Sequence, residues 1–428
     1  MQVLKKAEAE IGDVIRVTKN EQTYEGILIP RSEYGDDKHI VIKMKSGYNI
    51  GIRVTPNMQI KKVGKGVKPT FTQPLLPKQK SNLPEVAIIS TGGTIASRVD
   101  YRTGAVRPAL SANDLYSVVP ELADIARINA EILFSQFSEN IKAEHWRKMA
   151  EAAAKHIKKG AAGVVIAHGT DTMAYTAAAL SFALQNLPVP VLLVGSQRSA
   201  DRPSSDAATN LIAAVKAAST APFAEVVIAM HETTSDISTL FHRGTKVRKC
   251  HTSRRDTFKS INASPLARME NDKITMLTKD YSKRDTKRKL VLKQNFDEKV
   301  ALLKFHPGLN PEIIRWCVKQ GYRGIVLEGT GLGQVGNYCF PAVKEAIQNK
   351  VLVAMTPQCL WGRVNMNVYD QARDLLAMGV IPLEDMLPET ALVKMMWTFG
   401  QTKDLEEVKK LMTTNIAYEI SPRTVYEE

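Results

Sequence analysis

Cysteine is scarce in this sequence. The four present, Cys250, Cys317, Cys339 and Cys359, are far apart and form no C-x-x-C pair. That argues against a zinc ribbon and a disulfide framework, and fits a reducing compartment. Apolar runs never reach the roughly eighteen residues that a membrane-spanning helix needs. The opening stretch MQVLKKAEAEIGDV holds no apolar core of a secretory signal, so a cytoplasmic location is expected. HETTS at His231 lacks the second histidine of a zincin, and no Walker A sequence occurs, so neither a metal site nor an ATP site is expected in this chain. Acidic residues also fall short: 44 Asp and Glu against 58 Lys and Arg leave a net charge of +14. Such a balance suits a polyanionic neighbour such as RNA, or simply a solvated basic surface. Charge alone does not choose.

What is present reads as several domains, since 428 residues exceed one ordinary domain. Residues 1–62 hold short alternating runs, GDVIRVTK, TYEGILIPR, KHIVIKM and YNIGIRV, separated by turn residues. They predict a small antiparallel β-barrel. Residues 63–83, rich in Lys, Pro and Gly, read as a basic linker. From residue 84 to 281 the rhythm changes to buried strands, EVAIIST, AAGVVIAHGT, VPVLLVGSQ and AEVVIAM, alternating with helical stretches. One of these, AEHWRKMAEAAAKHIKKG, ends with Gly160 placed as a C-terminal stop. The alternation predicts an α/β domain, a parallel sheet covered by helices on both faces. The charged segment 282–297 reads as a connector. Residues 298–428 restart a smaller α/β unit ending in an amphipathic helical tail. GTGLGQVG from Gly329 resembles a dinucleotide loop, but no acidic residue follows at the expected spacing, so it reads as a tight turn.

In parallel sheets, ligands sit at the carboxyl ends of the strands. The unusual polar stretches all fall there: STGGT, HGTDT and GSQRSADRPSSD. Thr91-Gly92-Gly93-Thr94 is by itself a turn whose N–H groups can hold any anion. It is also a place where a threonine hydroxyl could attack a carbonyl while those N–H groups steady the oxyanion. Thr94 suits a helix cap or the wall of the site. A hydroxyl nucleophile needs a base, and no Ser-His-Asp arrangement is visible. A lysine oriented by a carboxylate can serve. Lys246 and Lys249, in the charged stretch HRGTKVRKCHTSRRDTFKS, are the candidates.

TGGTI followed by HGTDT resembles the L-asparaginase/glutaminase family, over about residues 84–415. SRVDYRTGAVRP, GSQRSADRPSSDAATNL, RGTKVRKCHTSRRDTF, TPQCLWGRVNMNVYDQARDL and GVIPLEDMLPETALVKMMW narrow the likeness to one branch, the D-type subunits of archaeal glutamyl-tRNA(Gln) amidotransferases. The extension at residues 1–62 resembles that branch too, and free asparaginases lack it. The resemblance implies an asparaginase-like two-domain parallel-sheet fold behind a small N-terminal β-barrel. It implies hydrolysis of L-glutamine to glutamate and ammonia. A partner, the amidotransferase E-type subunit, would use the ammonia with ATP and Mg to convert Glu-tRNA(Gln) to Gln-tRNA(Gln), this chain holding no cofactor itself. A homodimeric core within a heterotetramer of two D-type and two E-type subunits is the implied assembly.

The resemblance also implies roles. Thr91 matches the nucleophile, Thr170 and Asp171 the second threonine and its carboxylate, and Lys249 the catalytic lysine, with Lys246 as the second choice. Tyr101 matches the tyrosine of a mobile lid. Ser138, Glu139, Gly92 and Gly169 fall where the family holds its substrate. The neighbouring-subunit glutamate of free asparaginases has no clear counterpart around NVYDQARD. Two other readings stand beside this one. A free-standing cytosolic L-asparaginase would leave residues 1–83 idle, and a non-catalytic RNA-binding scaffold would leave the threonine motifs idle.

Overall fold

The computed structural model describes residues 2–19, 22–29, 38–44, 49–65, 80–92, 97–99, 106–108, 119–198 and 205–424. At the N-terminus a short helix, Gln2–Lys6, precedes five antiparallel strands: Val14–Lys19, Gln22–Ile29, His39–Met44, Asn49–Arg53 and Gln59–Gly64. Alternate residues meet in a core of Ile15, Val17, Leu28, Ile40, Ile42, Ile52 and Met58. The sheet curls far enough for Lys19 Nζ on the first strand to donate to Arg53 O on the fourth at 3.0 Å. Its two edge strands are not paired with each other among the described residues. The fifth strand runs to Gly64, into the stretch read as linker.

Behind it lies an eight-stranded sheet. Arg127–Ile132, Glu85–Ser90, Gly163–Ala167, Val191–Val194 and Val226–His231 are neighbours in that order and parallel. The pattern of the strands explains the layers. Ala87, Ile89, Val164, Ile166, Val191 and Leu193 pack into one core, while Val86, Ile88, Val165, Ala167, Leu192 and Val194 pack into the other. Both faces are therefore apolar and both carry helices. The helix Ala143–Lys158 ends as its sequence predicts, with Gly160 at φ +94°.

The sheet is parallel, as expected, over those five strands, and three antiparallel strands extend it. After Val226–His231 the connection 232–237 is too short for a crossover helix, so Ser238–Arg243 returns antiparallel, followed by Ala267–Glu270 and Lys273–Met276. The segment read as a connector is pinned down: Arg284 donates to the carbonyls of Ala162, Ala218 and Ala221, and Val291–Leu292 pairs with Leu184–Gln185.

The second α/β unit has four parallel strands, Val300–Lys304, Gly324–Gly329, Leu352–Pro357 and Ile381–Pro382. GTGLGQVG forms a tight turn, with Thr330 N bonded to Gln334 O and positive φ at Gly331 and Gly333. The tail differs from the single amphipathic helix expected. Pro388–Gln401 and Leu405–Thr413 are separate helices, the second capped by the Asp404 side chain. The first is buried almost all round because it wedges against the helix Met173–Ala183, with Phe182 and Trp397 stacked at 5.8 Å. Its one buried lysine, Lys394, pairs with Glu419 at 2.5 Å. Among the described residues no helix is long and apolar enough to cross a membrane.

Candidate active site

Parallel pairing sets Ser90 opposite Ala167, so the chain leaves both strands side by side at one edge of the sheet. The first exit gives Thr91 and Gly92; the second gives His168, Gly169, Thr170 and Asp171. Thr91 is 1% exposed. Its N–H and its hydroxyl both donate to Ala167 O, at 3.1 and 2.8 Å, which stitches one exit to the other. Gly92 sits at φ +110°, and a Cβ there would lie 2.4 Å from Gln136 O. Only glycine allows that approach. Gln136 N in turn donates to Thr91 O at 3.1 Å, which brings the third strand exit, with Ser138 and Glu139, against the first two.

Ser138 is buried and Glu139 exposed, both in a short 3₁₀ turn. A Cβ on Gly169 would meet Ser138 Cβ at 2.9 Å and Oγ at 3.0 Å, so the glycine leaves room for the serine. Thr172 Oγ1 donates to Ser138 O at 2.6 Å and fixes the turn from below.

Lys249 arrives from a separate hairpin, Val247–Lys249 paired with Phe258–Ser260. Its Nζ donates to Thr170 Oγ1 at 2.9 Å and to Asp171 Oδ1 at 2.6 Å. A hydroxyl, an amine and a carboxylate thus form one bonded group at the strand exit stitched to that of Thr91. Lys246, the second candidate, points elsewhere: it is 1% exposed and paired with Asp385 of the C-terminal unit at 2.7 Å. Burial lowers its pKa against the pull of Asp385. Tyr101, Gly93 and Thr94 lie outside the described residues.

Three residues contribute that the sequence reading did not single out. His168 is buried, and burial pushes it down to about 4, so the ring is neutral. Trp146 Nε1–H donates to Thr176 Oγ1 at 3.1 Å, and Thr176 Oγ1 lies 3.0 Å from His168 Nε2. A carbonyl oxygen can only accept, so the ring proton sits on Nδ1, 2.6 Å from Gly169 O, and in the neutral ring Nε2 accepts the Thr176 hydroxyl proton. The second is Thr172. The third is Gly195, where a Cβ would lie 2.8 Å from Thr170 Cγ2. The HGTDT motif already held the first two; Gly195 becomes visible only when its strand is placed beside Thr170. Among the described residues the N–H groups of Gly169 and Thr170 meet no protein acceptor.

Comparison with protein families covers most of the chain. Residues 85–282 match the N-terminal asparaginase domain, 299–412 the glutaminase/asparaginase C-terminal domain, and 9–63 the GatD N-terminal domain. The D-type glutamyl-tRNA(Gln) amidotransferase subunit of Pyrococcus abyssi is 51% identical over 99% of this chain and 98% of its own. Its counterpart from Methanothermobacter thermautotrophicus is 51% identical over 98% and 96%. The chain belongs to the GatD family of glutamyl-tRNA(Gln) amidotransferase subunits. It carries both asparaginase domains behind the GatD N-terminal domain. The thermostable L-asparaginase from Thermococcus kodakarensis is 34% identical, with a TM-score of 0.71, covering 79% of this chain and 100% of that one. L-asparaginase I from Vibrio cholerae is 28% identical, with a TM-score of 0.70, covering 79% of this chain and 99% of that one. By family the chain is an amidohydrolase of the asparaginase class, and one component of a larger amidotransferase.

Proposed function

We propose that this chain hydrolyses the side-chain amide of L-glutamine and supplies the ammonia to a partner, the E-type subunit of the amidotransferase. The observation that carries the reading is the bonded group of Thr170, Lys249 and Asp171 at the strand exit joined to that of Thr91. Thr91 attacks the amide carbon, and the N–H groups of Gly169 and Thr170, which meet no protein acceptor among the described residues, receive the developing oxyanion. Ammonia leaves, and water then opens the acyl-enzyme. Lys249, oriented by Asp171 and joined to Thr170, moves the protons in both halves. Ser138 and Glu139 hold the amino-acid end of the substrate, and Tyr101 serves as the lid residue.

This chain needs no cofactor in this reading. ATP and Mg act in the E-type partner, where the ammonia converts Glu-tRNA(Gln) to Gln-tRNA(Gln). The assembly is a homodimeric core carrying two copies of that partner, working in the cytoplasm. The match of residues 9–63 to the GatD N-terminal domain supports this over a free-standing asparaginase. The rival reading draws on the likeness to solved L-asparaginases. Ammonia release from glutamine and asparagine, with and without the E-type partner and Glu-charged tRNA, separates the two. A rise in glutamine hydrolysis with the complex supports the proposal. Asparagine hydrolysed best, with no response to partner or tRNA, sinks it.

One observation favours a different order of attack. In the resting site Thr91 donates to a carbonyl, whereas Thr170 is the hydroxyl bonded to the lysine. Trapping the acyl-enzyme by acid quench and mapping the modified peptide identifies which threonine attacks first. Modification at Thr170 in the wild type would assign it the first step.

A further inference from the structure

The strand that carries Lys249 faces two ways. Val247 packs into the main core. Lys249 reaches Asp171 in the N-terminal unit at 2.6 Å. The alternate positions point to the C-terminal unit: Lys246 pairs with Asp385 at 2.7 Å, and Arg248 with Glu389 at 2.7 Å. Side chains along a strand alternate between its faces, so residues 246 and 248 share one face and 247 and 249 the other. Asp385 lies just before the helix Pro388–Gln401, and Glu389 lies in its first turn. That helix is itself wedged against Met173–Ala183, which follows directly from Thr170 and Asp171. Two ion pairs therefore hold the lysine strand to the C-terminal unit like two rungs.

The clamp is well made. Asp385 also accepts from Ser421 N at 2.9 Å, and Asn262 Nδ2 donates to Asp385 O at 3.3 Å and to Gly362 O at 2.9 Å. Glu389 is 8% exposed, and the Arg248 guanidinium supplies its charge partner. Burial pushes the Glu389 carboxyl up, and Arg248 pulls against that. The Lys249 hairpin is short, three residues a side, and such ribbons do not hold their own geometry in water. Something outside it must fix where the amine points.

We propose that Arg248 and Glu389 are positioning residues for the amide hydrolysis: by tying the lysine strand to the C-terminal helix, they hold Lys249 at bonding distance from Thr170 and Asp171. This rests on the role given to Lys249 above. An amine displaced by about 1 Å can lose on the order of 10²-fold in rate, so loosening one rung acts on turnover rather than on substrate binding.

The test uses the full chain in complex with its E-type partner, and reads kcat and KM for glutamine together with the thermal midpoint. Arg248→Met is expected to lower kcat by about tenfold to a hundredfold with KM within about threefold of wild type. Arg248→Lys, which keeps the charge, should recover most of the loss. The double variant Arg248→Met/Glu389→Gln should be no slower than Arg248→Met alone, since both changes break one rung. Reductive methylation, read at Lys249 by mass spectrometry, should rise in Arg248→Met as the amine is released from Asp171. A folded Arg248→Met with wild-type kcat, or an Arg248→Lys no better than Arg248→Met, overturns the proposal. Should Arg248→Met fail to fold, Glu389→Gln decides in the same way: lower kcat at constant KM supports it, wild-type kcat overturns it. A wild type that hydrolyses neither amide, or a Lys249→Met that stays active, overturns the earlier reading and this one with it.

Discussion

Lys249 Nζ lies 2.6 Å from Asp171 Oδ1, although the two residues are 78 positions apart and come from different supersecondary units. Asp171 is 67% exposed, so the pair adds little to folding stability. In the proposed mechanism its worth lies in aiming the amine, which also touches Thr170 at 2.9 Å. Lys249→Met is therefore expected to lose about 10² to 10⁴ in kcat while its thermal midpoint stays close to wild type. Near wild-type ammonia release from the purified variant would remove Lys249 from the mechanism.

The neighbouring lysine behaves in the opposite way. Lys246 and Asp385 are 1% and 2% exposed at their side chains, and taking away one partner leaves the other charge buried and alone. Lys246→Met should cost about 3–5 kcal/mol of stability, whereas Lys246→Met/Asp385→Leu should recover much of it. Urea unfolding of the single and double variants checks this. If the single variant unfolds at the wild-type midpoint, the pair does not hold the two units together.

The difference between these lysines marks how far the sequence could be read. Strand-end threonines beside glycines are legible because a turn chemistry and a catalytic chemistry coincide in five residues. The alternation of buried strands with helices showed the sheet, as Val86 to Ile89 demonstrates, each residue matched to a face. Lys246 and Lys249 look alike in a charged run, and which is buried depends on Asp385, some 139 residues away. The antiparallel half of the main sheet was hidden for a related reason: its strands are short, and their direction depends on a connection length rather than on composition. Pro388–Gln401 read as amphipathic because Lys394 interrupts it, yet Glu419 neutralises that lysine inside the core.

Two glycines of the site separate backbone strain from side-chain crowding. Ala at position 92 would need φ +110° and would press on the Gln136 backbone at 2.4 Å, which cannot move without the turn that carries Ser138. Gly92→Ala should lose at least about 1–3 kcal/mol of stability from the backbone conformation alone. Ala at position 169 meets the Ser138 side chain first, at 2.9 and 3.0 Å. Gly169→Ala should keep more of the fold and show its defect as a raised KM for glutamine. Equal thermal midpoints for the two variants would contradict this distinction.

Acid should weaken the fold through buried histidine. His242 is fully buried, its Nδ1 bonded to Ser260 Oγ at 2.9 Å and its Nε2 without a partner among the described residues. Burial first, and Lys259 second, push it down to about 3. The unfolded chain takes up this proton near the ordinary pKa of about 6.5, well before the folded one. Stability from this group is thus complete above about pH 6.5 and is lost as pH falls toward 3, which by pH 5 amounts to about 2 kcal/mol. His168 acts in the same direction, at about 4. His242→Asn keeps a donor for Ser260 and has no ring to protonate. Urea unfolding at pH 7 and pH 5 should show the wild type losing about 2 kcal/mol more than the variant between the two. Parallel losses in both proteins would mean that His242 is already charged in the fold, and that its cavity is wetter than its burial implies.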